Sequence, residues 1–340
     1  MASLAFTSFM IHPLPLPLNF KTNTNTNNGF YCFPSCRRAS SLEKFNFFSL
    51  SPLQKPSTSA TASSDQHSQQ HEDEEEDESF QVLTAIRSKY NDIVIVDTST
   101  SRMLLLDHTN NVHSIFNKGL QKWTDSYWDE FSSLPAIVPK GPIAIYGLGG
   151  GTAAHLMLDL WPSLQLEGWE IDEILIDKAR DYFGLSDLEK PTEAGGVLHV
   201  CIGDVFSPSE TVPGGYAGII IDLFSEGKVL EQLQEPATWL KLKERLMPDG
   251  RFMVNCGGIG EASETSQPES EDDTWLQNST IKALSESFPG EVCWKRMPKR
   301  NGENFLALTG PIPDLSLWSD NVPGPLSENV KQWKPCKPFP

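Results

Sequence analysis

The sequence predicts an α/β protein with a doubly wound, mostly parallel sheet at its core, a Rossmann-like arrangement. Three observations carry that prediction. Short apolar runs alternate with helical patterns between residues 136 and 310, as strand–helix–strand units require. The run Ile143–Tyr146 leads into Gly147-Leu-Gly-Gly-Gly151 and then a helical pattern from Thr152: strand, tight turn, helix. Acidic residues close the following strands at Glu170, Asp204 and Asp222, with Asp172 just behind the first.

Taken in order, residues 1–64 are rich in Ser, Thr, Asn and Pro and carry Lys21, Arg37, Arg38, Lys44 and Lys55 against one acid, Glu43. Pro13, Pro15 and Pro17 interrupt the only apolar block, which argues against a secretory signal. The Met-Ala-Ser opening and hydroxyl-rich body predict a chloroplast transit peptide and a stromal location; a disordered tail is the plainer reading of the same composition. Residues 65–79 form a linker whose acid run, Glu72 to Glu78, repels itself and buries nothing, so disorder is predicted there. His67 and His71 sit four apart in this linker, but without a helix to hold them they predict no metal site.

Residues 80–135 predict a small N-terminal β-hairpin unit, Ile93–Val96 and Met103–Leu106 around the turn Asp97–Ser101, followed by a helical bridge, Ser126–Ser133. Residues 136–310 predict seven strands: Ile143–Tyr146, Leu166–Ile171, Leu198–Ile202, Gly218–Asp222, Arg251–Cys256, Glu291–Met297 and Asn304–Thr309. Helices are expected after the first five. The connection Pro298–Gly302 is too short for a crossover, so the last two strands should pair antiparallel, as in the seven-stranded methyltransferase fold. The polar segment Gly257–Asp273 lies on the ligand face, as a lid or as a disordered insertion. Residues 311–340 hold seven prolines with Trp318 and Trp333 and predict an extended arm.

A net charge of −18 argues against nucleic acid as a partner, because phosphate binding draws on clustered Lys and Arg. No apolar run approaches the ~20 residues that span a bilayer, so no membrane partner is expected. The six cysteines show neither a disulfide framework nor zinc spacing and read as buried thiols.

The glycine loop is the strongest functional signal. Gly147, Gly149 and Gly151 remove side chains where the backbone must pass close to a nucleoside. A dinucleotide fingerprint calls for Gly or Ala where Thr152 stands, so the loop fits S-adenosylmethionine better than a pyrophosphate. Glu170, nineteen residues past Gly151, is placed to accept both ribose hydroxyls. Asp172 has two readings, ligand contact or helix N-cap. Asp204 is positioned for an adenine amine, and Asp222 ends the fourth strand.

Together these residues resemble the spermidine synthase family of the S-adenosylmethionine-dependent methyltransferase superfamily, over about Ser88 to Gly310. The likeness rests on Ser88-Lys-Tyr-Asn91, Leu104-Leu-Leu-Asp107, Tyr146-Gly-Leu-Gly-Gly-Gly-Thr152, Gly168-Trp-Glu-Ile-Asp172, Ile202-Gly-Asp204 and Ile219-Ile-Ile-Asp222. It implies a plant, plastid-targeted member in which Glu170 holds ribose, Asp204 adenine and the glycine loop the amino-acid or aminopropyl end of the donor. It also implies association of copies through the hairpin region.

The family's amine-handling acids are not all present. Its carboxylate three residues past the strand-four acid is Ser225 here, and the aspartate of its glycine loop is Gly150. Glu226 substitutes if the loop shifts by one residue; otherwise it is a solvated loop glutamate. Asn91 stands for the family's hairpin glutamine and Tyr127 for the tyrosine of the following helix. Phe224, Tyr127 and Trp128 offer aromatic faces to a sulfonium or cationic acceptor, each worth about 0.5–2 kcal/mol, or are ordinary core. Of the histidines, only His155 is placed near the crevice, with a satisfied surface role as the plainer reading.

Displacement of a methyl group from a sulfonium needs no obligatory protein nucleophile, so the sequence favours a methyltransferase with an unknown small-molecule or protein acceptor. The alternative is an aminopropyltransferase using decarboxylated S-adenosylmethionine in polyamine synthesis. A third reading is a non-catalytic nucleoside-binding or assembly module. Candidate catalytic residues are Asp222, Ser225 and Glu226. Candidate donor-binding residues are Gly147, Gly149, Gly151, Glu170, Asp172, Asp204 and Asn91. Tyr127 and Phe224 are candidates for the acceptor.

Overall fold

A computed structural model describes residues 80–109, 111–207, 212–258, 271–298 and 304–337. The expected transit peptide and acidic linker, with His67 and His71, lie outside the described residues, as does most of the loop after Gly257.

The N-terminal unit holds four strands where two were predicted. They are β1 (Gln81–Arg87), β2 (Asp92–Asp97), β3 (Ser101–Leu105) and β4 (Ser114–Asn117), an antiparallel meander. The flanking pair was missed because Gln81–Arg87 carries polar residues on an exposed edge and Ser114–Asn117 is only four residues long. Helix α1 (Tyr127–Phe131) follows, starting after Ser126 within the predicted bridge.

The main sheet starts at β5 (Ile143–Tyr146), followed by α2 (Thr152–Leu160), β6 (Gln165–Glu170), α3 (Glu173–Tyr182), the short α4 (Leu185–Leu188) and β7 (Val197–Ile202). Next come β8 (Tyr216–Ile221), a two-stranded hairpin of β9 (Phe224–Ser225) and β10 (Lys228–Val229), α5 (Pro236–Lys243) and β11 (Leu246–Asn255). The chain closes with α6 (Ser279–Ser287), β12 (Val292–Arg296), β13 (Phe305–Thr309), α7 (Leu315–Asp320), α8 (Leu326–Asn329) and β14 (Lys334–Pro335). No helix follows β7 among the described residues, contrary to expectation.

The sheet order is β14-β12-β13-β11-β8-β5-β6-β7. Strands β7, β6, β5, β8 and β11 run parallel, while β12 and β13 pair antiparallel as their short connection requires. The eighth strand, β14, comes from the predicted extended arm. That segment instead packs back as two helices and a strand, burying Trp318, Val322, Leu326, Val330 and Trp333 in the core. Its indoles stack at 6.1 Å, and Trp318 donates to the Ser133 carbonyl at 2.9 Å.

Every side chain of β8 is buried, the signature of a central parallel strand covered on both faces. The winding reverses between β5 and β8: from β5 the chain moves out through β6 and β7, then returns to the opposite side of β5. The carboxyl ends of β5 and β8 therefore frame the crevice where open α/β sheets bind ligands.

Candidate active site

The glycine loop crosses this crevice. Gly147, Gly149 and Gly151 all adopt positive φ, +87°, +55° and +85°. Gly147 is fixed by approach as well as by φ, since an added Cβ would run into the Asp222 backbone oxygen. Asp222 N in turn donates to the Tyr146 carbonyl at 2.9 Å, so the ends of β5 and β8 are locked together.

The N-terminal unit covers the loop. Thr152 Oγ1 donates to the Ile115 carbonyl at 3.0 Å and accepts from Ile115 N at 2.9 Å. The residue that departs from the dinucleotide pattern thus docks β4 onto α2. Ser114 Oγ accepts from Gly150 N at 2.8 Å, and a Cβ at position 150 would lie 2.9 Å from Ser114 Cβ. Ser114 therefore fills the space that a side chain at position 150 would take.

Glu170 is buried at the end of β6. Its carboxylate accepts from Gly149 N at 3.1 Å, Ile171 N at 2.9 Å and Asp172 N at 3.2 Å. A carboxylate offers about four acceptor positions, so roughly one remains, enough for a single ribose hydroxyl rather than the expected two. Burial pushes the Glu170 carboxyl above its ordinary range, against the pull of the three backbone donors. Beside it, Ile171 and Ile202 are exposed by 38% and 45%, and the backbones there are joined by Gly203 N donating to the Glu170 carbonyl. These apolar surfaces suit a base face. Asp204, exposed just beyond β7, accepts from Phe206 N at 2.9 Å. The residues present therefore fit an adenosyl donor.

Asp172 and Asn91 depart from their expected roles. Asp172 is 2% exposed and caps α3 through Ile174 N and Leu175 N. Its second oxygen accepts from Ser88 Oγ and, at 2.7 Å, from Asn91 Nδ2. Asp172 is thus a structural tie between α3 and the N-terminal sheet, and the N-cap reading holds. Asn91 spends its amide on that tie while still lining a nearby cavity.

At the end of β8, Asp222 accepts from Asn255 Nδ2 at 2.9 Å and is hydrogen-bonded by Tyr127 and Trp128. Burial pushes its carboxyl up to about 6, and these donors hold it from rising further. Burial and the Asp222 carboxylate push the Tyr127 phenol well above its ordinary range. The Tyr127 ring is packed by Trp128 and Phe131 at 4.7 and 5.7 Å, so Tyr127 meets the site through its hydroxyl instead of an open aromatic face.

Two cavities share His113 in their walls, and one of them reaches Asp222. The inner chamber, about 10 Å³, is lined by Asp222, Gly147, Trp128, Ser114 and His113. The outer cavity, about 150 Å³, is lined by Asn91, Tyr90, Phe224, Ser225, Glu226 and again His113, among others. Ser225 and Glu226 are exposed in the β9–β10 hairpin and stand on the outer wall, away from the Asp222 chamber. Glu226 occupies the hairpin tip at φ +50°, ahead of Gly227 at +72°. Phe224 lines the same outer wall.

Sequence reasoning missed Asn255, Asp107 and His113. Asn255 was discoverable as the polar end of an apolar strand beside β8. Asp107 was read only as the end of a hairpin motif, with no role of its own, and His113 carried no local signal, since a loop histidine acquires meaning only when the meander folds over the crevice. His155, expected at the surface, is partly buried, with Nε2 2.8 Å from the Phe183 carbonyl.

No family model matches the chain. Over 178 residues, 51% of its length, the chain is 26% identical to a probable polyamine aminopropyl transferase of Bifidobacterium longum. The match spans 37% of that relative, little more than a third of its length. Among solved structures, a probable spermidine synthase from Corynebacterium glutamicum superposes with a TM-score of 0.50, covering 74% of this chain and 90% of that one at 16% identity. The spermidine synthase from Thermotoga maritima gives 0.45, with 67% and 71% covered at 15% identity. The chain has the Rossmann-like fold of the spermidine synthases.

Proposed function

We propose that this chain is an aminopropyltransferase, taking its group from decarboxylated S-adenosylmethionine and passing it to an amine. The observation that carries the proposal is the enclosed Asp222 carboxylate, pushed up to about 6 and hydrogen-bonded by Tyr127, at the point where the glycine loop meets β8. The donor supplies an electrophilic carbon attached to a sulfonium. An amine arrives as its ammonium and must lose a proton before its lone pair can attack. Asp222 is the group placed to take that proton, and a base near neutrality is suited to it. Glu170, the glycine loop and the Ile171 and Ile202 surfaces hold the nucleoside. This reverses the order favoured by the sequence alone, where Ser225 and Gly150 argued for methyl transfer; the relative's name supports the same reversal.

Methyl transfer from S-adenosylmethionine is the second reading, favoured by Ser114, which fills the space that a side chain at position 150 would take. Calorimetry of the full chain against both donors and methylthioadenosine, with mass analysis of products from diamines, separates the readings. Preference for the decarboxylated donor and an aminopropylated diamine are expected. Preference for the carboxylated donor with methylated product overturns the proposal, and no binding by any of the three leaves the non-catalytic module. The same proposal places the protein in the chloroplast stroma, as its first 64 residues suggest; a fluorescent fusion of those residues that stays outside plastids rejects that location. Association of copies is included, and a monomer by light scattering rejects it.

A further inference from the structure

His113 and Asp107 form a pair that the chemistry above does not use. His113 Nε2 stands 3.4 Å from Asp107 Oδ2, with both side chains largely buried. Neither atom has another hydrogen-bond partner among the described residues, while Asp107 Oδ1 accepts from Thr109 N at 2.9 Å. Buried polar atoms left with one loose partner call for an explanation. His113 is also in an unusual place: it lines both the inner chamber with Asp222 and the outer cavity beneath the N-terminal sheet.

Aminopropyl transfer to an ammonium releases one proton per turnover. Asp222 takes it, yet Asp222 is ringed by Tyr127, Trp128 and Asn255 and must be emptied before the next cycle. We propose that His113, oriented by Asp107, is the residue that carries this proton from the Asp222 chamber to the outer cavity. The proposal rests on the aminopropyltransferase reading. The inner chamber's volume, about 10 Å³, matches a single water, which is the link needed between carboxylic acid and imidazole. The bookkeeping is closed: the amine N–H proton passes to the Asp222 carboxylate, then to neutral imidazole, and the imidazolium gives it to solvent.

The electrostatics suit both halves of that cycle. Burial pushes the His113 imidazole below its ordinary range, against the pull of Asp107, so it is neutral and ready to accept at pH 7. Burial would raise the Asp107 carboxyl, but Thr109, His113 and His108 hold it below its ordinary range, so it stays charged to steady an imidazolium. The other charged walls of the outer cavity are Arg87, Lys89, Asp92 and Glu226. Arg87 and Asp92 face each other at 3.3 Å, and Lys89 lies against the Tyr90 ring, so these groups act on His113 only through exposed, screened charge.

The test uses the full chain with decarboxylated S-adenosylmethionine and a diamine. His113→Gln is expected to lower kcat by about tenfold or more at pH 7, since positioned acid–base groups contribute roughly 10²–10⁴-fold. Donor Kd by calorimetry should stay within about twofold, and added imidazole should restore part of the rate. Asp107→Asn should act in the same direction, altering the pH profile of kcat more than KM. A His113→Gln variant with unchanged kcat and pH profile, beside a slow Asp222→Asn variant, overturns the relay and leaves the base. Lost rate that imidazole never restores makes the effect structural and also overturns it. A wild-type protein that aminopropylates no amine overturns the reading on which the relay rests.

Discussion

Glu170 and Asp222 show how burial changes what a carboxylate does. Removing Glu170 frees three backbone donors, Gly149 N in the glycine loop and Ile171 N and Asp172 N just past β6, and hydrogen bonds to a charged group are worth about 1.5–3 kcal/mol each. Glu170→Ala is therefore expected to weaken donor binding by at least about tenfold, with a lowered Tm; unchanged affinity in calorimetry places the ribose elsewhere. For Asp222 the sign of the pH effect follows from the raised carboxyl. A base that ionises at about 6 makes kcat/KM climb as pH rises through about 6, and Asp222→Asn should flatten that limb. Stability runs the other way. The folded state holds this proton more tightly than the unfolded chain does, so the group favours folding at low pH, and that contribution fades as pH rises from about 4 to about 6. Asp222→Asn should then be more stable relative to wild type at pH 8 than at pH 5, by about 1–3 kcal/mol in urea unfolding. Asp222 was legible from the sequence as a strand-end acid. Its partners were not, because Tyr127, Trp128 and Asn255 reach it from α1 and β11.

At the scale of elements, α1 is held in place by a buried ion pair. Lys295 Nζ on β12 lies 2.8 Å from Glu130 Oε1, with side chains 2% and 1% exposed, and also donates to the Asn329 carbonyl. Burial pushes the Lys295 ammonium below its ordinary range, against the pull of Glu130. Leaving one buried charge alone costs about 3–5 kcal/mol, whereas replacing both is often close to neutral. Lys295→Met should lose about that much in urea unfolding, and Lys295→Met with Glu130→Leu should recover most of it. The β9–β10 hairpin was invisible in sequence because its tip reads Glu226-Gly227 instead of the usual Asn-Gly or Asp-Gly. A non-glycine residue in left-handed backbone costs about 1–2 kcal/mol, so Glu226→Asn should stabilise modestly, by about 0.5–1 kcal/mol in thermal or urea melts.

Across the whole molecule, the C-terminal arm is part of the core. It adds the edge strand β14, and Trp318 hydrogen-bonds the carbonyl of Ser133, close behind α1. Truncation after Gly310 strips Trp318, Leu326, Val330 and Trp333 from the core and exposes the apolar surface they cover. Such a chain should aggregate or melt well below the full protein, with donor binding lost as α1 loosens; a soluble truncation of unchanged Tm would show the arm to be an accessory.

By itself the sequence determined the parallel sheet, the glycine turn and the acids at the strand ends. Burial on both faces writes itself as continuous apolar runs, and positive φ writes itself as glycine; both constraints act within a few residues. Only the tertiary structure decided which acids remain open to chemistry. It tied Asp172 to Ser88 and Asn91 of the N-terminal sheet, filled the place beside Gly150 with Ser114, set Ser225 and Glu226 in an outer wall with Asn91 and His113, and brought His113 and Asn255 around Asp222. Those outcomes depend on contacts between residues tens to more than a hundred positions apart, and local spacing carries no record of them.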